Sequence, residues 1–278
     1  MSTAPGVVQP IPRGTLAGRV GKRTLDWVPA LVVLVVVLVV WQESIELLHI
    51  KKFLAPQPTA IASTFWADRH ELISAGWFTF QEALGGFVIG CGLALLCALV
   101  LARWRGLGRA LMPYMIAASA VPIIAFAPIM NAWFNPFSKG SKMAIAAVLC
   151  FFPVLVNSLR GLTSVRPESI ELMRSYGAGE LETFRRVRIP TALPFIFTSL
   201  KIATVLAMIG AIVGEYFGGP IDALGVSILN DSQLGDFPRA WAGIVLASAF
   251  GIVFYALVAF VEWRTTSWDP SRRVFHPE

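Results

Sequence analysis

Apolar residues run without a break over residues 28–40, inside a longer apolar stretch covering 27–48. No period of two or of 3.6 residues interrupts the run, so a helix built from it is apolar on every side. Such a helix is buried in protein or sits in lipid, and about 20 apolar residues cross about 30 Å of hydrocarbon. Five further stretches satisfy the same rule: 82–102, 111–134, 143–159, 192–217 and 240–263. The third carries Pro113, Pro122 and Pro128, and the fourth carries Pro153. The pattern predicts an all-α membrane protein with six transmembrane helices.

The segments between the spans complete the organisation. Residues 1–26, rich in Pro and Gly, form an N-terminal tail. A charged lead of that length, followed by an apolar run with no small-residue cleavage pattern, favours a retained first helix over a cleaved signal. Residues 49–81 form an external loop in which Pro56 and Pro58 precede Ile61, Phe65 and Leu72, the pattern of a short surface helix. The core of the protein then covers 82–263, and 264–278 form the C-terminal tail. The loop 218–238 is Gly-rich and carries Asp222, Asp231 and Asp236, reading as a solvated loop or as a contact surface for an external partner.

The most patterned polar segment is 162–194. Pro167 suits the first position of a helix, with Glu168 and Glu171 favoured by the dipole of its first turn. Ile170, Met173 and Gly177 fall on one face, and Gly177 and Gly179 break the helix. A second short helix follows, in which Leu181, Phe184 and Val187 recur every three residues among Glu180, Glu182, Arg185, Arg186 and Arg188. Ile189-Pro190 is expected to end it, and Pro194 to open the fifth span. Two short amphipathic helices joined at glycine lie on lipid headgroups or dock into a groove of a soluble partner. The pattern alone leaves both open.

Composition narrows the function classes. Of 278 residues 56% are hydrophobic and 14% charged, against about 25% charged in an ordinary soluble domain, and mean hydropathy is +0.67. This argues against a soluble enzyme, a disordered chain or a fibrous chain. With both termini inside, 16 Lys and Arg fall on the inner side and six on the outer, which predicts cytoplasmic termini. The formal charge of +6 follows from that asymmetry, and no basic helix or aromatic platform points to nucleic acid. Cys91, Cys97 and Cys150 lie in apolar runs and read as small core residues. The three histidines are scattered, so no metal site is expected. No phosphate-binding loop, nucleophile elbow, zinc helix or catalytic carboxylate pair stands out, so neither a catalytic residue nor a cofactor is predicted.

Polar residues within spans are costly and mark candidate pathways. In the fifth span Lys201 and Glu215 stand 14 residues apart, about 21 Å along a straight helix, too far to pair. Lys201 lines the pathway or snorkels to the inner headgroups; Glu215 lines it or bonds a neighbouring helix. Gly210, Gly214 and Gly218, like Gly86 and Gly90, form stripes that let helices approach closely. The prolines of the third span make it the second wall. The candidate pathway residues are Met130, Asn131, Lys201, Met208 and Glu215.

The run Glu171-Leu-Met-Arg-Ser-Tyr-Gly177-Ala178, continuing through Phe184, Val187, Ile189-Pro190 and Pro194, resembles the EAA loop of binding-protein-dependent ABC importer permeases. Leu172 and Met173 stand where that loop has two alanines. The resemblance covers about residues 60–263. Within the superfamily the chain is similar to the nitrate, sulfonate, taurine and vitamin-precursor permeases, in Arg174, in the basic Lys201 after Leu193-Pro194, and in Gly214-Glu215-Tyr216-Phe217 followed by Leu224-Gly225.

The resemblance implies a MetI-like permease fold with cytoplasmic coupling helices (loop 162–190), in a bacterial inner membrane with both termini cytoplasmic. Glu171, Met173, Arg174, Gly177, Ala178, Leu181 and Phe184 would seat on a separate cytoplasmic ATPase. The implied partners are that ATPase, a second permease subunit that is another copy of this chain, an external substrate-binding protein and membrane lipid. The implied cargo is a small organic anion or heterocyclic vitamin precursor. On the residues alone, a secondary transporter or channel without an ATPase remains the alternative, predicting uptake by the chain by itself.

Overall fold

A computed structural model of the chain describes residues 28–49 and 55–266. The expected N-terminal tail and most of the C-terminal tail lie outside the described residues. The chain divides near Ala60 into two compact units. The first contains α1 (Val28–Leu47), whose valines and leucines are exposed along its length, as lipid-facing side chains would be. In the same unit Gln42 Oε1 accepts from Thr59 N and Oγ1, each at 3.3 Å. The short helix α2 (Pro58–Ala67) is the one expected in the external loop.

The second unit is built on three long helices: α3 (Arg69–Arg103), α6 (Lys139–Thr163) and α9 (Ile189–Tyr216). Their contacts are made by small side chains. Ala83, Ala94, Ala98 and Ala102 on α3, Ala146 on α6, and Ala203, Ala207 and Ala211 on α9 are all fully buried. Gly90 lies so close to α6 that a Cβ there would collide with the backbone of Ala147, and Gly210 meets Ala146 in the same way. The glycine stripes are therefore interfaces within this subunit. α11 (Phe237–Thr265) covers one side, with Phe80 of α3 stacked on Phe250 at 5.5 Å and edge-on to Phe254 at 5.4 Å.

Several expected boundaries change. Among the described residues, five helical segments are each long and apolar enough to span a membrane in one piece, and the third of the six expected stretches is broken. The third stretch is not one helix but α4 (Arg105–Ser119), a 3-10 turn (Ile123–Phe126) and α5 (Ala127–Phe134). Pro122 stands at the break and Pro128 opens α5, consistent with the ring's loss of an N–H and its clash with the preceding turn. The helix that holds the second span begins at Arg69, before 82, and runs through much of the segment read as external loop. The loop 218–238 holds α10 (Leu224–Leu234), whose Leu224 and Ile228, one turn apart, are buried.

Ile189-Pro190 does not end the helix before the fifth span. From Glu180 to Tyr216 the chain stays helical over 37 residues, as α8 (Glu180–Thr183), a π turn (Phe184–Arg188) and α9. Pro190 has no N–H for the carbonyl four residues back. The turn before it widens, and Ile189 N bonds to Phe184 O, five residues away. A widened turn absorbs the missing donor without breaking the rod.

Candidate functional site

Two places concentrate polar chemistry. The first lies where α3, α6, α9 and the start of α10 meet. Glu215, near the end of α9, is 1% exposed. Its Oε1 accepts from Thr79 Oγ1 at 2.7 Å and its Oε2 from Gly225 N at 2.6 Å. Thr79 Oγ1 in turn accepts from Leu224 N at 3.0 Å. The free N–H groups at the start of α10 thus receive a carboxylate and a hydroxyl supplied by other helices, as a helix N-terminus favours. Gly225 is required for this approach, since a Cβ would stand 2.6 Å from Glu215 Oε2.

Glu82 sits one turn after Thr79 on the same face of α3, beside the Glu215 carboxyl. It is 0% exposed, as is Lys142 of α6. The Lys142 stem packs against Gly214, its Cγ 3.2 Å from where a Cβ would be, and its ammonium donates to Pro136 O. Asn131 of α5, also buried, donates through Nδ2 to Gly214 O at 3.4 Å. At the rim, Lys139 donates to Gln81 Oε1 at 2.5 Å.

The candidate pathway residues separate. Asn131 and Glu215 meet across Gly214, and Met130 is buried close by against Ala127 and Ile145. Met208 is buried further down α9 and lines an apolar cleft of about 530 Å³ between α9, α10 and α11. Lys201 is away from the cluster, paired with Glu262 of α11 at 2.7 Å. Thr79, Glu82 and Lys142 are the cluster members that sequence reasoning misses. Glu82 and Lys142 lie at predicted span ends, where a charge reads as an ordinary boundary. Beyond the cluster, Arg239 gathers Asp68 at 3.6 Å, Glu71 at 2.9 Å and Asp231 at 3.6 Å. Burial pushes the Asp231 carboxyl above its ordinary value, against the pull of Arg239.

The second place is α7 (Pro167–Ser175) with α8. Pro167 starts α7 as expected. The helix stops in a two-bond C-terminal motif: Ala178 N bonds to Met173 O at 3.0 Å and Gly177 N to Arg174 O at 2.9 Å, with Gly177 at φ +75°. That left-handed position is what glycine supplies at low cost. Ile170 and Met173 are half-buried, whereas Glu171, Arg174, Leu172, Tyr176 (80%) and Leu181 (81%) are exposed. Ala178 is half-buried, and Phe184 anchors the segment by packing on the main core. Arg174 bridges the break to Glu180 at 3.5 Å. The cavity behind α7, about 1020 Å³, is lined by Leu101, Arg109, Met112, Leu159 and Glu171 among others.

A bundle of membrane-length helices around a polar clasp, with a glycine-broken helix pair projecting from it, defines a membrane transport subunit. Residues 86–267 match the family described as binding-protein-dependent transport system inner membrane component, and the chain belongs to that family. The riboflavin transport system permease protein RibX of Chloroflexus aurantiacus is 32% identical, over 88% of this chain and 92% of its own length. The formylaminopyrimidine transport permease protein ThiX of Halalkalibacterium halodurans is 31% identical, over 89% of this chain and 98% of its own. An aliphatic sulfonates transport permease of Bacillus subtilis is 26% identical over 90% and 91%. The protein is thus a multi-pass inner-membrane permease subunit of an ABC importer for small solutes, a component that works with an ATPase and a substrate-binding protein.

Proposed function

We propose that two copies of this chain form the translocation pathway of an importer for a small heterocyclic compound, with both termini cytoplasmic and α7–α8 seated on an ATPase. The exposure of Leu172, Tyr176 and Leu181 within a rim of Arg174, Glu180, Glu182 and Arg186 carries this reading. Large apolar side chains ringed by charge are what a helix offers to a groove, and Gly177 sets the angle between the two short helices. ATP binding on paired ATPases would draw the two α7–α8 segments together and rock the spans between inward- and outward-facing states. Glu171, Met173, Arg174, Gly177, Ala178, Leu181 and Phe184 would shape and fasten that contact. Met130, Asn131, Met208 and Glu215 would face the solute in some part of the cycle.

The heterocycle assignment follows two relatives above 30% identity, named for riboflavin and for formylaminopyrimidine; a sulfonate relative stands at 26%. The test is reconstitution of the chain with its ATPase and binding protein in liposomes. Uptake is expected to require all three and ATP. Uptake by the chain alone, driven by an ion gradient, would overturn the reading in favour of a secondary transporter. Calorimetry on the binding protein with pteridine-, flavin- and pyrimidine-type compounds, against alkyl sulfonates, decides the solute class.

A further inference from the structure

Glu82, Lys142 and Glu215 are all enclosed in the bundle. Ionised together they leave one surplus negative charge where an uncompensated charge costs several kcal/mol. Neither Glu82 oxygen has a hydrogen-bond donor among the described residues; the group beside them is the other carboxyl. Two carboxyls in contact bond to each other only with a proton between them. Adding one proton makes the three groups neutral and gives Glu82 a partner.

The groups that face this pair can be named on every packed element. α3 brings Thr79, which already donates to Glu215. α5 brings Asn131, committed to Gly214 O. α6 brings Lys142, and Lys139 at the rim, held by Gln81. α9 brings Glu215 and Tyr216 and α10 the Leu224 and Gly225 N–H groups, while Arg239 at the start of α11 is engaged elsewhere, by Asp68, Glu71 and Asp231. None of these donates to Glu82. A metal ion is disfavoured there by the adjacent ammonium, and no set of three or more metal-ligating side chains exists among the described residues. A cleft of about 300 Å³, lined by Glu71, Gln81 and Ser227, reaches the residue next to Glu82 and offers a route for exchange with water.

We propose that Glu82 and Glu215 form a proton-binding site, holding one exchangeable proton that latches α3 to α9 and to the start of α10. Opening this end hydrates both carboxyls and releases the proton. The latched state therefore binds more protons than the opened one, so it is favoured at lower pH and weakens as pH rises.

The experiment uses the full-length chain in lipid nanodiscs. Infrared spectroscopy near neutral pH is expected to show the carbonyl stretch of a buried protonated carboxyl, absent in Glu82→Gln, whose amide supplies the hydrogen bond permanently. Thermal unfolding from mildly acid to alkaline pH should show the wild type losing about tenfold more in folding equilibrium per pH unit than Glu82→Gln, the equivalent of one proton. A wild-type spectrum without the band, a band that persists in Glu82→Gln, or equal pH slopes would overturn the proposal. Should Glu82→Gln not fold, the wild-type spectrum alone decides. None of these readouts uses ATP, so they stand apart from the importer reading.

Discussion

The cluster around Glu215 and the segment around Gly177 use similar residue types under opposite conditions. In the cluster, Glu82, Lys142 and Glu215 are enclosed within one chain, where Glu215 accepts from Thr79 and Gly225 and Lys142 donates to Pro136 O. In the segment, Glu180, Glu182, Arg174 and Arg186 are exposed and paired at 3.1–3.5 Å, and the apolar side chains are the ones left without cover. Buried charge must be satisfied by the fold itself. Exposed apolar surface is satisfied by something that arrives. The first region is thus a completed device, and the second is half of an interface.

Substitutions separate the two. The largest effect is expected at Lys142→Met, which removes the enclosed ammonium from beside two enclosed carboxyls. A loss of about 3–5 kcal/mol should appear as a collapse of folded yield on size-exclusion chromatography, and a normally stable variant would break the contrast. Leu181→Asp should leave the thermal midpoint of the permease unchanged while weakening co-purification of the ATPase at least tenfold, or about 1.4 kcal/mol.

Gly177→Val comes next. Nothing lies within 4 Å of the new Cβ, so its cost is the left-handed backbone, about 1–2 kcal/mol. The expected result is ATP hydrolysis uncoupled from uptake in liposomes with the spans still folded. Arg174→Ala is the smallest. Its pair with Glu180 is exposed, and stability should change by under about 1 kcal/mol; a larger loss would mean that the segment is built more like the cluster.

The difference also explains what was legible in the sequence. Apolar runs of span length and the amphipathic repeat at Ile170, Met173, Leu181 and Phe184 are local patterns, and local patterns survive reading one residue at a time. The cluster is not local. Glu82 and Lys142 stand where a span seems to begin, and only the extension of α3 back to Arg69 and of α6 back to Lys139 carries them inward. α10 is hidden for the same reason: its first N–H groups are bonded by Thr79 and Glu215, 145 and 10 residues away. Pro190 misleads because proline usually stops a helix, and here a π turn absorbs it.

That absorbed proline has a mechanical consequence. The rod from Glu180 to Tyr216 has 37 residues, about 55 Å at 1.5 Å per residue. One end carries the surface-exposed Leu181 and the other the enclosed Glu215. Tilting such a beam by about 10° displaces its far end by about 9–10 Å, several times the length of the hydrogen bonds that hold Glu215. The π turn sits close to the Leu181 end, and the 28 residues beyond it form one unbroken α-helix. A small stroke applied at the projecting segment would therefore be magnified at the opposite end.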